Sequence, residues 1–438
     1  MRTFLISIIL ITVSLLSEAQ NNFSVSDIDA LTYKQYMQKD WKNLIKTGKR
    51  AKRKGIDFYY LQYRTGIAYY ELKKYAEAVK YFEKIHSENP EDETILEYLY
   101  YSYLFSGRIE DARLTATYFS RKAKERLNIE TEYPFIKALY FSTIQNVNDD
   151  YGHIPETDET VEQKTVLNES WYNISAEHYI GDRLTVFHGY SRLQMSNDIK
   201  DTNPDLPEEY LEDINQNEYY LSLKYHAGKG FNITGAFHYL NTLYYSPVYI
   251  TIGRRTSLTY LYYFRENSVA GFLKFDKSFS IFNAAVESSV SDLNGKFQIQ
   301  PALSLKIYPF ANTKFYSETK GIYHIEDDNG TKRYSPVIKQ TLGINFLKYS
   351  LLNISATYGD LLNYTEYNAF ITNNDLDLTK LKAEIYLNFG LSKGRFNIFL
   401  NYQYNQKENT YLINDNEITE DYTNHIIAGG IKWYFSKY

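Results

Sequence analysis

Cysteine is missing from all 438 residues. Disulfides, thiolate nucleophiles and Cys-type metal sites are therefore excluded. Beyond the first twenty positions no stretch approaches 18 uninterrupted apolar residues, which excludes a transmembrane helix. Catalytic signatures are absent too: the chain holds no H-E-x-x-H, no G-x-S-x-G and no phosphate loop. Its eight histidines are scattered rather than clustered. His188 and Ser191 share a segment, but their odd separation puts them on opposite faces of a strand. A non-enzymatic protein without a cofactor is expected, with an outer-membrane hydrolase as a remote third possibility.

The beginning of the chain is distinctive. Arg2 precedes an apolar run from Phe4 to Leu16, and Ser17-Glu18-Ala19 follows. A charged start, a short apolar core and small residues at minus three and minus one describe a secretory signal peptide over 1–19, cut after Ala19. The other reading is a membrane anchor, for which the run is short against the roughly 20 residues a helical span needs. Export and the lack of cysteine together fit a bacterial envelope, and they leave nucleic acid out as a partner.

Residues 25–130 have helical periodicity, and within them the stretch from Tyr59 to Asp92 forms one repeat unit. It carries Gly66, Tyr69, Ala78, Phe82 and Pro90. Small residues let two helices approach, aromatics fill the layer between them, and Pro90 ends the second helix. One repeat later Tyr69 maps onto Tyr103 and Ala78 onto Ala112, but Gly66 maps onto Tyr100 and Phe82 onto Ala116. A further half-unit is expected around Trp41, Leu44 and Ile45. In length and pattern this region resembles the tetratricopeptide family, whose units bury their apolar faces only by stacking. The resemblance implies a concave surface for a peptide or protein; a spacer that packs on the rest of the chain is the alternative. Lys49, Arg50, Lys52, Arg53 and Lys54 close a segment, 34–54, that has nine Lys or Arg against one Asp. They are candidates for holding an acidic partner or an anionic glycan, and otherwise form a solvated helix face.

From about residue 134 to the end the pattern changes to period two. Phe396, Ile398, Leu400, Tyr402 and Tyr404 form one row against Asn397, Asn401, Gln403 and Asn405, with Phe399 out of place. Leu381, Ala383, Ile385, Leu387 and Phe389 oppose Lys380, Lys382, Glu384 and Asn388. Phe297, Ile299, Leu303 and Leu305 oppose Gln298, Gln300, Ser304 and Lys306. Tyr219, Leu221, Leu223 and Tyr225 oppose Gln216, Glu218, Ser222 and Lys224. One face meets apolar surroundings and the other polar ones. A soluble sandwich would share the alternation. These segments are long, however, their connections alternate short and long, and aromatics gather at their ends, as in a transmembrane β-barrel. The 46 tyrosines suit the two membrane–water boundaries. Sixteen strands are expected, with twelve or fourteen as alternatives, since 243–280 is ambiguous and 134–146 also reads as a helix. Tight turns near 181–183, 227–230, 309–312, 347–349 and 391–394 are assigned to the periplasm. Long loops near 197–214, 326–334, 359–375 and 407–423 are assigned to the outside.

With the apolar row toward lipid, Glu177, Glu218, Lys224, Lys306, Lys314, Glu318, Lys320, Lys339, Lys380, Lys382, Glu384 and Arg395 face the lumen. They either select solutes by sign or pair with one another to fill a closed barrel. Acidic loop segments Glu326-Asp327-Asp328-Asn329 and Asn373-Asn374-Asp375 are weak candidates for Ca²⁺.

A leader, a short tetratricopeptide head and a Tyr-rich barrel ending in Gly429-Gly430-Ile431-Lys432-Trp433-Tyr434-Phe435 together resemble the YaiO-type outer-membrane β-barrel proteins. The resemblance implies a multidomain α + β chain: a short α-solenoid at 25–130 in the periplasm and an antiparallel barrel over 134–438 in the outer membrane. By analogy with export barrels of similar layout, the head captures a protein or glycan cargo, or an assembly partner, and the barrel gives the way out. The competing expectation is a structural or adhesive anchor that binds ligands through its outer loops.

Overall fold

The computed structural model of the protein describes residues 24–129, 134–147, 161–201, 208–251, 257–373, 377–413 and 416–435. The expected leader and cleavage site lie outside the described residues. The chain forms two compact units, the first ending at Tyr103 and the second starting at Leu104.

Among the described residues seven helices come first: α1 (Val25–Met37), α2 (Trp41–Arg53), α3 (Tyr59–Glu71), α4 (Tyr75–Glu88), α5 (Glu93–Phe105), α6 (Ile109–Thr117) and α7 (Arg121–Leu127). Val25, Tyr59 and Glu93 open the first helix of each pair and Trp41, Tyr75 and Ile109 the second, so both series advance by the same step. That step is the tetratricopeptide period. The half-unit expected around Trp41 is thus the second helix of a complete pair. Its first helix is started by a capping box, in which the Asp27 N–H donates to Ser24 Oγ and the Ser24 N–H to Asp27 Oδ2, satisfying two orphan donors. Gly66 makes the α3–α4 packing possible. A Cβ there would lie 2.9 Å from the Phe82 ring, and Phe82 is fully buried. Arg64 ties α3 back to α1 through Asp29 at 2.7 Å and Thr32 Oγ1 at 3.0 Å.

The second unit is a closed, antiparallel, fourteen-stranded barrel. Its first strands are β1 (Ile136–Val147), β2 (Val161–Ile180), β3 (Leu184–Asp201), β4 (Glu208–Gly228), β5 (Phe231–Thr251), β6 (Ser257–Phe279) and β7 (Phe282–Ser291). There follow β8 (Phe297–Ile307), β9 (Phe315–Asp328), β10 (Thr331–Leu347) and β11 (Ser350–Tyr358). A small hairpin, β12 (Tyr364–Glu366) and β13 (Ile371–Asn373), interrupts the wall. The barrel then resumes with β14 (Leu378–Leu391), β15 (Phe396–Ile413) and β16 (Asn416–Tyr434). Closure is made by β1 against β16, with Ile144 opposite Ala428.

Fourteen, one of the expected alternatives, is the count because the ambiguous region holds two long strands. Its described residues belong almost wholly to β5 and β6. Those two pair without a break from Phe231–Lys277 to Thr251–Ser257. The described residues of the long loops expected at 197–214 and 407–423 are strand as well: β15 and β16 stay paired up to Ile413–Asn416. Polar composition there marks strands that continue past the apolar belt. At 326–334 the connection is only the turn at Asn329-Gly330.

The pleat sorts the side chains. Ile174 is 61% exposed, Val286 58% and Leu303 64%, all on the outer face, whereas Asn173, Ser289 and Gln300 on the inner face are buried. A single sheet closed on itself therefore turns its apolar side outward and its polar side inward.

Candidate functional site

The connection between β11 and β14 does not project away from the barrel; its hairpin folds into the lumen. Leu361, Tyr364 and Ala369 are buried, and Leu361 and Tyr364 pack with Ala302, Ile322 and Val337 of the inner wall. Asn363 donates to Glu326 at 2.6 Å. The Thr365 N–H donates to Gln300 Oε1 at 3.1 Å, and its hydroxyl meets Ser289 Oγ at 2.7 Å. The expected outer loop at 359–375 is thus corrected, over 359–373, to a lumen insertion. The reason lies in its composition, since Leu361, Tyr364, Ala369 and Phe370 are too apolar for a solvated loop.

At its tip Tyr367, Asn368 and Ala369 have φ of 52°, 63° and 62°. Three successive non-glycine residues in the left-handed region cost about 1–2 kcal/mol each. The surroundings hold them there. Tyr220 donates its hydroxyl to the Asn368 carbonyl at 3.0 Å, His238 Nδ1 lies 2.9 Å from the Ala369 carbonyl, and the Tyr367 hydroxyl donates to Glu384 at 2.7 Å. Phe370 lies edge-on to Trp171, Phe187 and Tyr220, at ring distances of 5.9, 5.7 and 4.9 Å. Such strain persists only where neighbours over-determine the backbone, and it is characteristic of clamps and switch regions.

Charge fixes the same hairpin. Glu366 meets Lys382 at 2.6 Å and Lys339 at 3.3 Å. Lys339 also bonds Glu384 at 2.9 Å. Two carboxylates and two ammonium groups thus form a closed cluster, with Asn373 Nδ2 donating to Glu366 at 3.0 Å. Removing one member of such a buried set leaves an uncompensated charge.

Two cavities of the lumen border the hairpin. A cavity of about 470 Å³ is lined by Trp171, Lys339, Asn353, Lys382, Tyr386, Phe399 and Lys432, among others. A second, of about 390 Å³, is lined by Tyr140, Glu177, Lys224, Lys274 and Asp276. Tyr367 and Phe370 line both, so the hairpin tip is the partition between two chambers.

The sequence candidates distribute unevenly around this partition. Lys382 and Glu384 belong to the cluster. Glu218 backs the tip, with Trp171 Nε1 at 3.2 Å, Gln216 at 2.7 Å and His238 at 3.3 Å. Glu177 bonds Lys137 at 2.9 Å and Tyr140 at 2.7 Å. Lys306 pairs with Glu318 at 2.9 Å, and Lys320 pairs with Glu287. Lys224 reaches Glu110 of α6 at 2.5 Å. Arg395 does not face the lumen: it is exposed in the turn after Gly394, beyond the end of β14. Lys314 likewise sits exposed in the β8–β9 turn, and Lys380 sits at a bulge, paired with Glu408. These positions lie at or past strand ends, where the alternation of the pleat no longer applies. Lys49, Arg50, Lys52, Arg53 and Lys54 are exposed on α2 and just after it, with Lys49 5.8 Å from the Tyr69 ring and Lys52 6.0 Å from that of Tyr81.

The acidic segments also take their places. Glu326 is buried against Arg333 and Asn363, and Asp327 Oδ1 accepts the Gly330 N–H in the turn. Asn374 and Asp375 lie outside the described residues.

A second polar centre joins α6 to the end of the barrel. Asp111 accepts from Arg108 Nε at 2.8 Å, meets His226 Nε2 at 3.0 Å and accepts the Gly230 N–H at 3.1 Å. Burial pushes the Asp111 carboxyl up, but the His226 hydrogen bond and the Arg108 charge outweigh it and hold it below the usual range. Glu110 beside it is governed alike: burial raises it, and Lys224 lowers it further.

Several participants carry no mark in the sequence: Glu366, Tyr367 and Phe370 on the hairpin, and Trp171, His238 and Lys432 on the wall. One signal is present. Phe399 breaks the alternation of β15, and it does so because its ring points into the lumen beside Lys432, at 4.9 Å. Gly430 makes room for it, since a Cβ there would come within 2.6 Å of the Phe399 ring.

Residues 59–92 match the tetratricopeptide repeat family. No curated protein matches the chain. Among solved structures, a Pseudomonas aeruginosa FadL homologue is 8% identical, with a TM-score of 0.44 over 68% of this chain and 91% of that one. The translocator domain of autotransporter NalP from Neisseria meningitidis is 10% identical, with a TM-score of 0.33 over 76% and 98%. A bacterial polysaccharide outer membrane secretin is 9% identical, with a TM-score of 0.38 over 69% and 100%. At these scores the barrel assignment rests on the strand pairing above and not on these likenesses. A tetratricopeptide repeat in an N-terminal helical region, followed by a closed barrel, is the architecture that the resemblance to YaiO-type proteins implied.

Proposed function

We propose that this protein is a non-enzymatic outer-membrane barrel that exports or assembles an envelope component, a glycan or a surface protein, through a lumen controlled by the 359–373 hairpin. The observation that carries this reading is the partition: a strained tip, clamped by four ionised groups, stands between two chambers. A filler with no further role would not need separate cavities on both of its sides or a tip of three left-handed residues. The outward Leu, Ile, Val and Phe side chains support the membrane setting, because a closed single sheet has no second layer to cover them. The turns at 181–183, 228–230, 348–349 and 392–394 share one end with both barrel termini, which supports a periplasmic head in the usual orientation. The exposed basic face of α2 supports capture of an acidic partner or glycan. Because head and barrel are one chain, capture by the first raises the local concentration at the second.

Two of the buried histidines support the non-enzymatic reading. His226 is held by Asp111 and Asn232, and His238 Nδ1 by the Ala369 carbonyl, with Glu218 3.3 Å from its Nε2.

Planar-bilayer recording tests the proposal. The full chain is expected to conduct poorly and in brief openings, and Glu366→Ala to open long-lived channels. A variant that inserts yet stays as closed as the parent would refute hairpin control. Charge reversal at Lys49, Arg50, Lys52, Arg53 and Lys54 is expected to abolish pull-down of the envelope partner while leaving conductance unchanged.

A further inference from the structure

We propose that the larger of the two chambers is a binding site for an acidic sugar, a uronate unit of a glycan, with Lys432 as the group that receives its carboxylate. The inference names the ligand class of the lumen and rests on the glycan branch of the reading above.

Charge sets one lysine of the lumen apart. Lys137, Lys224, Lys274, Lys320, Lys339 and Lys382 of the lumen each have a carboxylate within ion-pair distance. Lys432 differs. Its Nζ donates to the Tyr386 hydroxyl at 2.7 Å and lies 5.3 Å from the Tyr386 ring centre and 4.9 Å from that of Phe399. Among the described residues no carboxylate forms an ion pair with it. Glu177, across the lumen end of β2, is already held by Lys137 and Tyr140. Lys432 is half-buried, and an ammonium group partly withdrawn from water without a counter-ion is disfavoured. The two rings offset part of that cost, and a ligand carboxylate would supply the rest through a charge-assisted hydrogen bond.

The remaining wall specifies what carries that carboxylate. Asn353, Asn373, Asn401 and Gln403 present amides to the chamber, with Trp171 and Phe399 as flat apolar faces. Asn401 Oδ1 makes no hydrogen bond. A pyranose ring matches this lining: its C–H face packs on aromatic rings, and its hydroxyls both donate and accept, as amides do. A volume of about 470 Å³ lies within the roughly 300–1,000 Å³ range of small-ligand sites. A wholly apolar acid would leave Asn401 Oδ1 unsatisfied, and a neutral sugar would leave Lys432 without a counter-ion.

The test is calorimetry on the full chain folded in detergent micelles. Trigalacturonate is expected to bind at least tenfold more tightly than maltotriose, Lys432→Gln to erase that preference, and Lys432→Arg to keep it. Three results overturn the proposal: a parent protein with no preference for the uronate, a Lys432→Gln variant that retains it, or benzoate competing as well as the uronate does. The first and third are read on the parent, so they stand even where a variant fails to fold. Uronate binding by a barrel that never conducts removes the passage reading and leaves the site. Conductance without uronate binding removes the site alone.

Discussion

Glu366 and Lys382 meet at 2.6 Å, one on a short strand inside the barrel and the other on its wall. This pair, with Lys339 and Glu384, links a loop to the sheet around it by charge rather than by backbone pairing. It thereby makes the fixed part of the lumen sensitive to a single side chain.

Glu366→Ala leaves Lys382 without its nearest carboxylate and Lys339 with one partner fewer. Breaking one partner of a buried pair costs about 3–5 kcal/mol. The expected outcome is hairpin release with the barrel intact: faster chymotrypsin cleavage at the Leu, Tyr and Phe positions of 359–373, and undiminished resistance of the strands to denaturation in detergent. Equal cleavage rates for parent and variant would show that apolar packing alone holds the segment.

The docking of α6 depends on ionised Asp111. Its carboxyl is held below the ordinary value, so its contribution is fully present above the unfolded value of about 3.9 and is lost as pH falls through the folded one. Arg108, Glu110, Lys224 and His226 surround it. Hydrogen exchange in 109–117 should therefore be slow and level from neutral pH to about 5, after correction for the intrinsic rate, and rise below about 4. In Asp111→Asn the corrected rate should already be raised at neutral pH. A flat profile in the parent down to pH 3 would count against the carboxylate's part in docking.

Gly66→Val introduces side-chain atoms where a Cβ alone already lies 2.9 Å from the Phe82 ring. Overpacking costs about 1–3 kcal/mol or more. Helical ellipticity at 222 nm should melt earlier, and the barrel signal should be unchanged because the site lies in the first unit.

Ile385 faces outward and is 44% exposed. In the proposed bilayer, Ile385→Arg should cost about 2–4 kcal/mol at mid-depth and reduce folding into vesicles. Gln403→Arg, on the inner face of the neighbouring strand, should fold nearly as well. Equal folding of the two variants would contradict the lipid assignment of the outer face.

The order of a helical head and a period-two barrel is legible in the sequence because both patterns are local. A tetratricopeptide repeat and a strict alternation need only neighbours along the chain. Lys382 and Glu384 are readable as inward for the same reason. Local patterns mislead where two of them look alike. A polar strand that outruns the apolar belt reads as a loop, as 197–214 and 407–423 do. The charged positions beside Gly394 and near Ala311 fall just past strands that have already ended. Phe399 is visible as an irregularity, but its partner Lys432 belongs to the next strand, and nothing local connects them.

By itself the sequence determined which side of each strand is apolar, where the helices repeat and which chemistries are absent, since composition and short-range period set these. Only the tertiary structure decided that 359–373 turns inward, that Glu366 meets Lys339 and Lys382, and that Lys432 is left beside two rings with no ion-pair partner among the described residues. Those facts depend on barrel closure, which brings strands far apart in the chain around one enclosed volume. No stretch of local sequence carries the size of that volume or the identity of what lies across it.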